Sequence, residues 1–306
     1  MSVLEQATQA APLGDPFASA PSRPASRPRL LSHVGRWGRA RRWLPDDALR
    51  VLDIGCAFGF GSAAIVARGP RERVIVGVER DPELLARASR EHPWLTMLDA
   101  DAGELPLPDG CADAVLLLDV IEHLADPGRA LREARRVLRA GGTLIVSVPH
   151  RGPTRWIDAV NVYAALRRRR PSWPALEGVV GTEDEEHRHF ALEELVGLLG
   201  PDFTLERVAR TGVGLQELVT LSILACRVPL RAPRLARALM PLHLLAYILD
   251  DLLPTGPLAY HLAIRARAQT PAGDGARTST GVGREQADGG DAANGKDAES
   301  TERNSL

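Results

Sequence analysis

The sequence predicts an α/β protein with a mainly parallel sheet and helices on both faces. Three observations carry this. Between about residues 50 and 150, short apolar runs alternate with segments of helical period. Asp-Pro pairs at Asp81-Pro82 and Asp126-Pro127 open two of those segments, as an N-cap followed by proline at the first helical position does. Strands so close together in the chain need crossovers to run parallel, and right-handed crossovers put helices on both faces.

Residues 51–54 (VLDI) are an apolar run read as a buried strand, and the next helix starts near Gly61. Residues 74–78 (VIVGV) are β-branched and form the second strand, followed by a helix over 81–90. Residues 95–98 read as a weak third strand and 114–118 (AVLLL) as a clear fourth. A helix over 128–139 has one apolar face in Leu131, Ala134, Val137 and Leu138, and Gly141-Gly142 is read as its C-cap. Residues 143–148 (TLIVSV) make the fifth strand, closed by Pro149; a helical pattern follows at 192–199, and strands at 204–210 and 260–267.

Both ends read differently. Residues 1–30, rich in Ala, Pro, Ser and Arg, and residues 269–306, nearly devoid of large apolar side chains, are expected to be disordered. Residues 31–150 are then the ligand-binding core, and 151–268 complete the same domain with insertions at 151–190 and 213–258.

A length of 306 residues, 44% hydrophobic, suffices for one large core, and a formal net charge of −1 gives no global basic field for nucleic acid. Cys56, Cys111 and Cys226 are an odd number without a CxxC pair, which predicts a reducing compartment and neither a disulfide framework nor a zinc site. The N-terminus lacks an apolar leader, so the expected location is the cytoplasm.

In an open parallel sheet, ligands bind at the carboxyl ends of the strands. The first strand is followed by Asp53-Ile54-Gly55-Cys56-Ala57-Phe58-Gly59, where small residues at 55, 57 and 59 allow a tight turn and close approach of backbone amides. The second strand is followed by Glu79, a carboxylate able to accept from both hydroxyls of a ribose. Either feature alone fits an ordinary strand end; together they indicate an adenosine-containing ligand. A dinucleotide fingerprint would read G-x-G-x-x-G and place amides on a pyrophosphate. Here the spacing is G-x-A-x-G, and Asp53 would repel that group while suiting a ligand with an amino group and a sulfonium. This favours S-adenosylmethionine over NAD.

VLDIGCAFGFG resembles the first motif of class I methyltransferases, VERDPELLARA the region that follows, and DAGELPLPDGCADAVLLLDVIEHLADPGRALREARRVLRAGGTLIVSVPH the small-molecule and quinone-biosynthesis-type members of that class. The resemblance covers residues 48–150. It implies a Rossmann-like seven-stranded sheet, completed by an antiparallel pair at 204–210 and 260–267, with S-adenosyl-L-methionine as cofactor. It also implies that Asp53 orients the cofactor's amino-acid end, that Gly55, Ala57 and Gly59 pass beneath its methionine and ribose, and that Glu79 holds the ribose. Asp101 and Ala102 would meet the adenine, and Asp119 the methionine end. Ala57 departs from the pattern, where glycine is more usual.

Methyl transfer needs alignment, exclusion of water and, for a protonated acceptor, a base. His123 and His150, each just after a strand, are the candidates, and each reads equally as a structural contact. His187 and His189 in EDEEHRHF are read as loop or lid residues rather than metal ligands, and Arg167–Arg170 as a solvated run that could also meet a phosphate or an anionic membrane.

The insertion at 213–258 holds two apolar runs, LQELVTLSILAC and ALMPLHLLAYILDDLLP, each too short to span a bilayer. It reads as a helical pair packed on the core or on another subunit, as a peripheral membrane segment, or as a lid over a hydrophobic acceptor. The function this predicts is methylation, at oxygen or carbon, of a small or lipid-like acceptor. The alternative is a non-catalytic methyltransferase-fold module that binds a partner or a membrane surface.

Overall fold

The computed structural model describes residues 15–18, 34–67, 69–70, 72–174 and 187–270. Its strands are β1 (Arg50–Ile54), β2 (Val74–Glu79), β3 (Thr96–Asp99), β4 (Ala112–Leu118), β5 (Leu138–Pro149), β6 (Phe203–Thr211) and β7 (His261–Ala268). They form one seven-stranded sheet in the order β3-β2-β1-β4-β5-β7-β6. The first five strands are parallel, and β7 runs antiparallel to both β5 and β6. Strand order reverses between β1 and β4, the place where such sheets bind ligands.

Strand side chains alternate between faces, and the core divides accordingly. Leu52, Ile54, Val76, Val78, Val115, Leu117, Leu144 and Val146 share one buried cluster with Leu131 and Val137 of α4 (Pro127–Val137) and Leu195 of α6 (Leu192–Leu199). Val51, Ile75, Ala114, Leu116 and Ile145 face the other way. They meet Ala40 of α1 (Gly35–Trp43) and Ile65 of α2 (Phe60–Val66). Asp53 has the parity of Val51, so it points to the α1–α2 face. The third helix, α3 (Pro82–Glu91), is capped by Asp81, whose side chain accepts from the amides of Glu83 and Leu84.

The structure corrects three sequence expectations. The helix expected over 128–139 ends at Val137, and Gly141-Gly142 is not its C-cap. Leu138 is already extended and pairs with Ala112, while the next pair is Ala114 with Thr143, so residues 139–142 form a bulge with Gly141 at φ 72°. Burial of Leu138 between the helix and the sheet decides the boundary. The second correction concerns residues 15–18, within the stretch expected to be disordered. They form a turn that buries Phe17 in the larger core cluster, with Arg50 over its ring. The rest of 1–30, and 271–306 of the other tail, lie outside the described residues.

The third concerns the insertion at 213–258, which folds as three helices rather than a pair: α7 (Leu215–Arg227), α8 (Pro233–Ala238) and α9 (Met240–Leu252). Buried Asp250 of α9 accepts from the amides of Val213 and Gln216 at 2.9 and 2.8 Å and so caps α7. Asp251 pairs with Arg39 of α1. Gly35 lies so close to Tyr247 that a Cβ there would come within 1.7 Å of its hydroxyl. These contacts fasten the insertion to α1. The insertion at 151–190 contains α5 (Ala159–Arg169); residues 175–186 lie outside the described part.

Candidate active site

Four adjacent strands each present a carboxylate at or just beyond their carboxyl end. In sheet order these are Asp101 beyond β3, Glu79 at β2, Asp53 at β1 and Asp119 beyond β4. Asp53 is buried and accepts from Ser62 Oγ at 2.5 Å. Burial pushes its pKa up to about 6, against the opposing pull of Ser62 and Arg36.

The turn after β1 is left-handed at Gly55, Ala57 and Gly59, with φ of 71°, 50° and 78°. A Cβ on Gly55 would stand 2.5 Å from Val120 Cγ2, so glycine is required there. Ala57 carries a methyl group in a conformation that costs about 1 kcal/mol relative to glycine. Its amide donates to Glu79 Oε2 at 3.0 Å, and the amides of Arg80 and Asp81 donate to Oε1 at 2.9 and 3.0 Å. A carboxylate offers about four acceptor positions. A ribose hydroxyl would take the remaining one or replace the Ala57 amide.

Asp101 is exposed, receives the Gly103 amide at 2.8 Å and lies 3.1 Å from Arg80 Nη1; Ala102 packs against the core. Asp119 also has positive φ, 57°. Ser147 Oγ donates to it at 2.6 Å, and Arg36 of α1 pairs with its other oxygen. Burial would raise its pKa, but Arg36, His261 and Ser147 together hold it below the ordinary value. Sequence places Asp119 toward a cationic ligand end, and the fold brings Arg36, a cation of the chain itself, to the same carboxylate.

This donor set suits S-adenosylmethionine. Arg36 offsets Asp119 and Arg80 lies beside Asp101, and the remaining carboxylates of the row still disfavour a pyrophosphate and suit a ligand carrying an ammonium and a sulfonium; Glu79 suits its diol and the tight turn admits close approach. Asp53, Glu79 and Asp101 with Ala102 would hold its amino-acid, ribose and adenine parts.

A second polar cluster lies beyond β4, β5 and the start of β7. At its centre is Asp158, the fully buried N-cap of α5, which accepts from the Asn161 amide at 2.9 Å. Its Oδ2 receives Tyr260 Oη at 2.8 Å, with His187 Nδ1 at 3.1 Å and His189 Nε2 at 3.3 Å. Burial opposes its charge, yet these partners hold its pKa well below the carboxylate range. Asn161 exchanges two hydrogen bonds with the backbone of His187, fixing that segment. The His187 ring stands edge-on to His123, centroids 4.8 Å apart. Burial, then the neighbouring His187, lowers the His123 pKa to about 4, so its imidazole is neutral at pH 7. Glu122 is buried beside it, its Oε2 unpartnered, and burial raises its pKa well above the usual range.

His150, the other sequence candidate, is also buried, and its Nδ1 lies 3.0 Å from the Ala259 carbonyl. Arg36, Asp158, Glu217 and Tyr260 are site residues that the sequence motifs do not mark. Only Asp158 left a signal there, as an N-cap residue opening the unassigned helical stretch AVNVYAAL.

Glu217 of α7 accepts from the Ala159 amide at 2.9 Å, and burial raises its pKa to about 7. A carboxyl whose folded pKa exceeds its unfolded value stabilises most below the unfolded value, near 4.3, and loses that stability as pH rises through the folded one. Glu217→Gln keeps an acceptor for Ala159 but cannot ionise. Urea denaturation of both proteins between pH 5 and 8 should show the variant gaining on the order of 2–3 kcal/mol relative to the parent. A constant difference across that range would mean that Glu217 does not titrate there.

The sheet order and its antiparallel last strand are the fold of class I methyltransferases, and the carboxylate row lies at the strand ends of that fold. Residues 52–146 match the family model described as "Methyltransferase domain". A Mycobacterium tuberculosis protein named "probable S-adenosylmethionine-dependent methyltransferase" is 40% identical over 101 residues, 33% of this chain and 36% of that one. The chloroplastic 2-methyl-6-phytyl-1,4-hydroquinone methyltransferase of Arabidopsis thaliana is 30% identical over 169 residues, 45% of this chain and 48% of that one. Among solved structures, an S-adenosylmethionine-dependent methyltransferase from Thermotoga maritima shares the fold, with a TM-score of 0.50 and 21% identity over 76% of this chain and 86% of that one. The carboxylate row thus lies within the segment that matches the methyltransferase family model and these S-adenosylmethionine-dependent relatives. The match spans about a third to a half of these curated relatives' length.

Proposed function

We propose that the chain methylates a small or lipid-like acceptor at oxygen or carbon, with S-adenosylmethionine as donor. The observation that carries this reading is the row of carboxylates at four adjacent strand ends, next to a histidine–aspartate cluster at the same sheet edge. When bound, the cofactor supplies a methyl group already activated by its sulfonium. The protein's part is to align, desolvate and deprotonate.

Asp53 and Asp119 set the cationic end, Glu79 the ribose, and Asp101 with Ala102 the adenine. His187 accepts the hydrogen bond of the acceptor's hydroxyl at Nε2 and takes that proton as the oxygen is methylated, its Nδ1 oriented by Asp158 much as a carboxylate orients a catalytic imidazole. His123, neutral at pH 7, stands edge-on to that ring and holds it in place. His150 holds the backbone at Ala259 and is assigned to positioning. The hydroquinone substrate in the name of the Arabidopsis relative supports a phenolic acceptor with an apolar tail.

The test is incubation with methyl-labelled S-adenosylmethionine and a panel of alkylated hydroquinones and phenols. Label should move into an organic-soluble product from at least one of them, and His187→Ala should lower kcat at least a hundredfold. Cofactor binding without transfer to any of the panel would contradict the assigned acceptor class.

A further inference from the structure

The insertion between β6 and β7 turns an apolar face outward. Leu242, Leu245, Leu249 and Leu252 recur along α9 at three- and four-residue spacing, and they are 48%, 50%, 39% and 64% exposed. The opposite face of this helix is the covered one, with Ala246 and Asp250 buried and Tyr247 against Gly35. A surface helix ordinarily gives its outward face to polar residues. Here that face is leucine, and Leu235 of α8 and Met240 at the start of α9 are exposed as well.

The segment that carries it bears charge of one sign. Between Glu217 and Asp250 the chain carries Arg227, Arg231, Arg234 and Arg237 and no acidic residue, and all four arginines are exposed. The next acids, Asp250 and Asp251, are turned inward to the amides at the start of α7 and to Arg39.

We propose that this face docks on an anionic lipid bilayer, with the α9 leucines at the acyl boundary and the four arginines at the headgroup phosphates. A bilayer meets both halves of the surface, since apolar burial and attraction to anionic lipid reinforce each other. A second copy of the chain meets only one, because a two-fold contact would set four arginines against four arginines. Among the described residues no helix is long and apolar enough to cross a membrane, so the contact lies in the plane of the interface.

α9 carries the leucines on one face and, on the other, Tyr247, which packs on Gly35, next in the chain to the Arg36 that pairs with Asp119. The Asp119 end of the candidate site therefore connects to the covered side of α9. Entry of an acceptor from the bilayer rests on the proposed methyl transfer; the docking itself does not.

The experiment is co-sedimentation of the full chain with phosphatidylcholine vesicles and with equimolar phosphatidylcholine–phosphatidylglycerol vesicles, alongside light scattering for mass. No cofactor or acceptor is needed, so its outcome is independent of catalysis. The protein should sediment with the anionic vesicles at least tenfold better than with the neutral ones. Leu245→Asp/Leu249→Asp and Arg231→Glu/Arg234→Glu/Arg237→Glu should each lower that binding at least tenfold while unfolding at the parent's temperature. Those side chains face outward, and the triple arginine variant serves if the leucine variant misfolds. Equal recovery with both vesicles, parent-like recovery of a folded variant, or a dimer that the variants convert to monomer without vesicle binding would each overturn the proposal.

Discussion

Glu79→Ala is expected to weaken S-adenosylhomocysteine binding by more than tenfold while lowering Tm by only a few degrees. The first effect follows from charge-assisted hydrogen bonds to a ribose diol, each worth about 1.5–3 kcal/mol, and about 1.4 kcal/mol is tenfold in affinity. The second follows from where the three amides sit. Those of Ala57, Arg80 and Asp81 lie at the ligand-facing rim, where water can replace the lost carboxylate at a cost of about 1 kcal/mol. Glu79→Gln retains an acceptor oxygen without the charge and should fall between parent and alanine variant. Isothermal titration reads both, and parent-like affinity in Glu79→Ala would remove that side chain from the site.

Asp158→Ala should be the more damaging change to the fold, at about 3–5 kcal/mol by urea denaturation. The side chain is fully buried, and its loss strands Tyr260 Oη and His187 without their shared acceptor and removes the charge that faces His189 Nε2 at 3.3 Å. Removing one partner from a buried charged cluster leaves the rest desolvated and unpaired, which is where costs of this size arise. The pH dependence has a definite sign. Asp158 has a folded pKa below its unfolded value, so its contribution is complete above the unfolded value, near 4, and is lost as pH falls further through the folded one. The gap between parent and variant should be steady from pH 5 to 8 and narrow below pH 4. An isosteric Asp158→Asn keeps an acceptor and should cost less than half as much.

The sheet was legible because its signals are local. Runs such as 74–78 and 114–118 are apolar, β-branched or leucine-rich and bounded by turns, and they pair as parallel neighbours of β1. Strand-end carboxylates were legible for the same reason: a ligand at the sheet edge is met by whatever follows each strand. Gly141-Gly142 misled because a left-handed glycine ends a helix and shapes a bulge equally well, and only the pairing of Leu138 with Ala112 separates the two. Contacts between distant segments were not legible. Arg36 reaches Asp119 across 83 positions, and the Asp158 cluster gathers Tyr260, just before β7, with side chains from two parts of the first insertion. The insertion's apolar content was plain from sequence, but not that α9 would bury alanine and aspartate and leave its leucines outside.

The most direct test of the account is calorimetric titration of the full chain with S-adenosylhomocysteine, with NADH as control. Micromolar binding of S-adenosylhomocysteine, abolished or weakened more than tenfold by Glu79→Ala, with no heat from NADH, is the predicted result. Binding of NADH, or of neither ligand by folded protein, would contradict the reading of the strand-end carboxylates as a cofactor site.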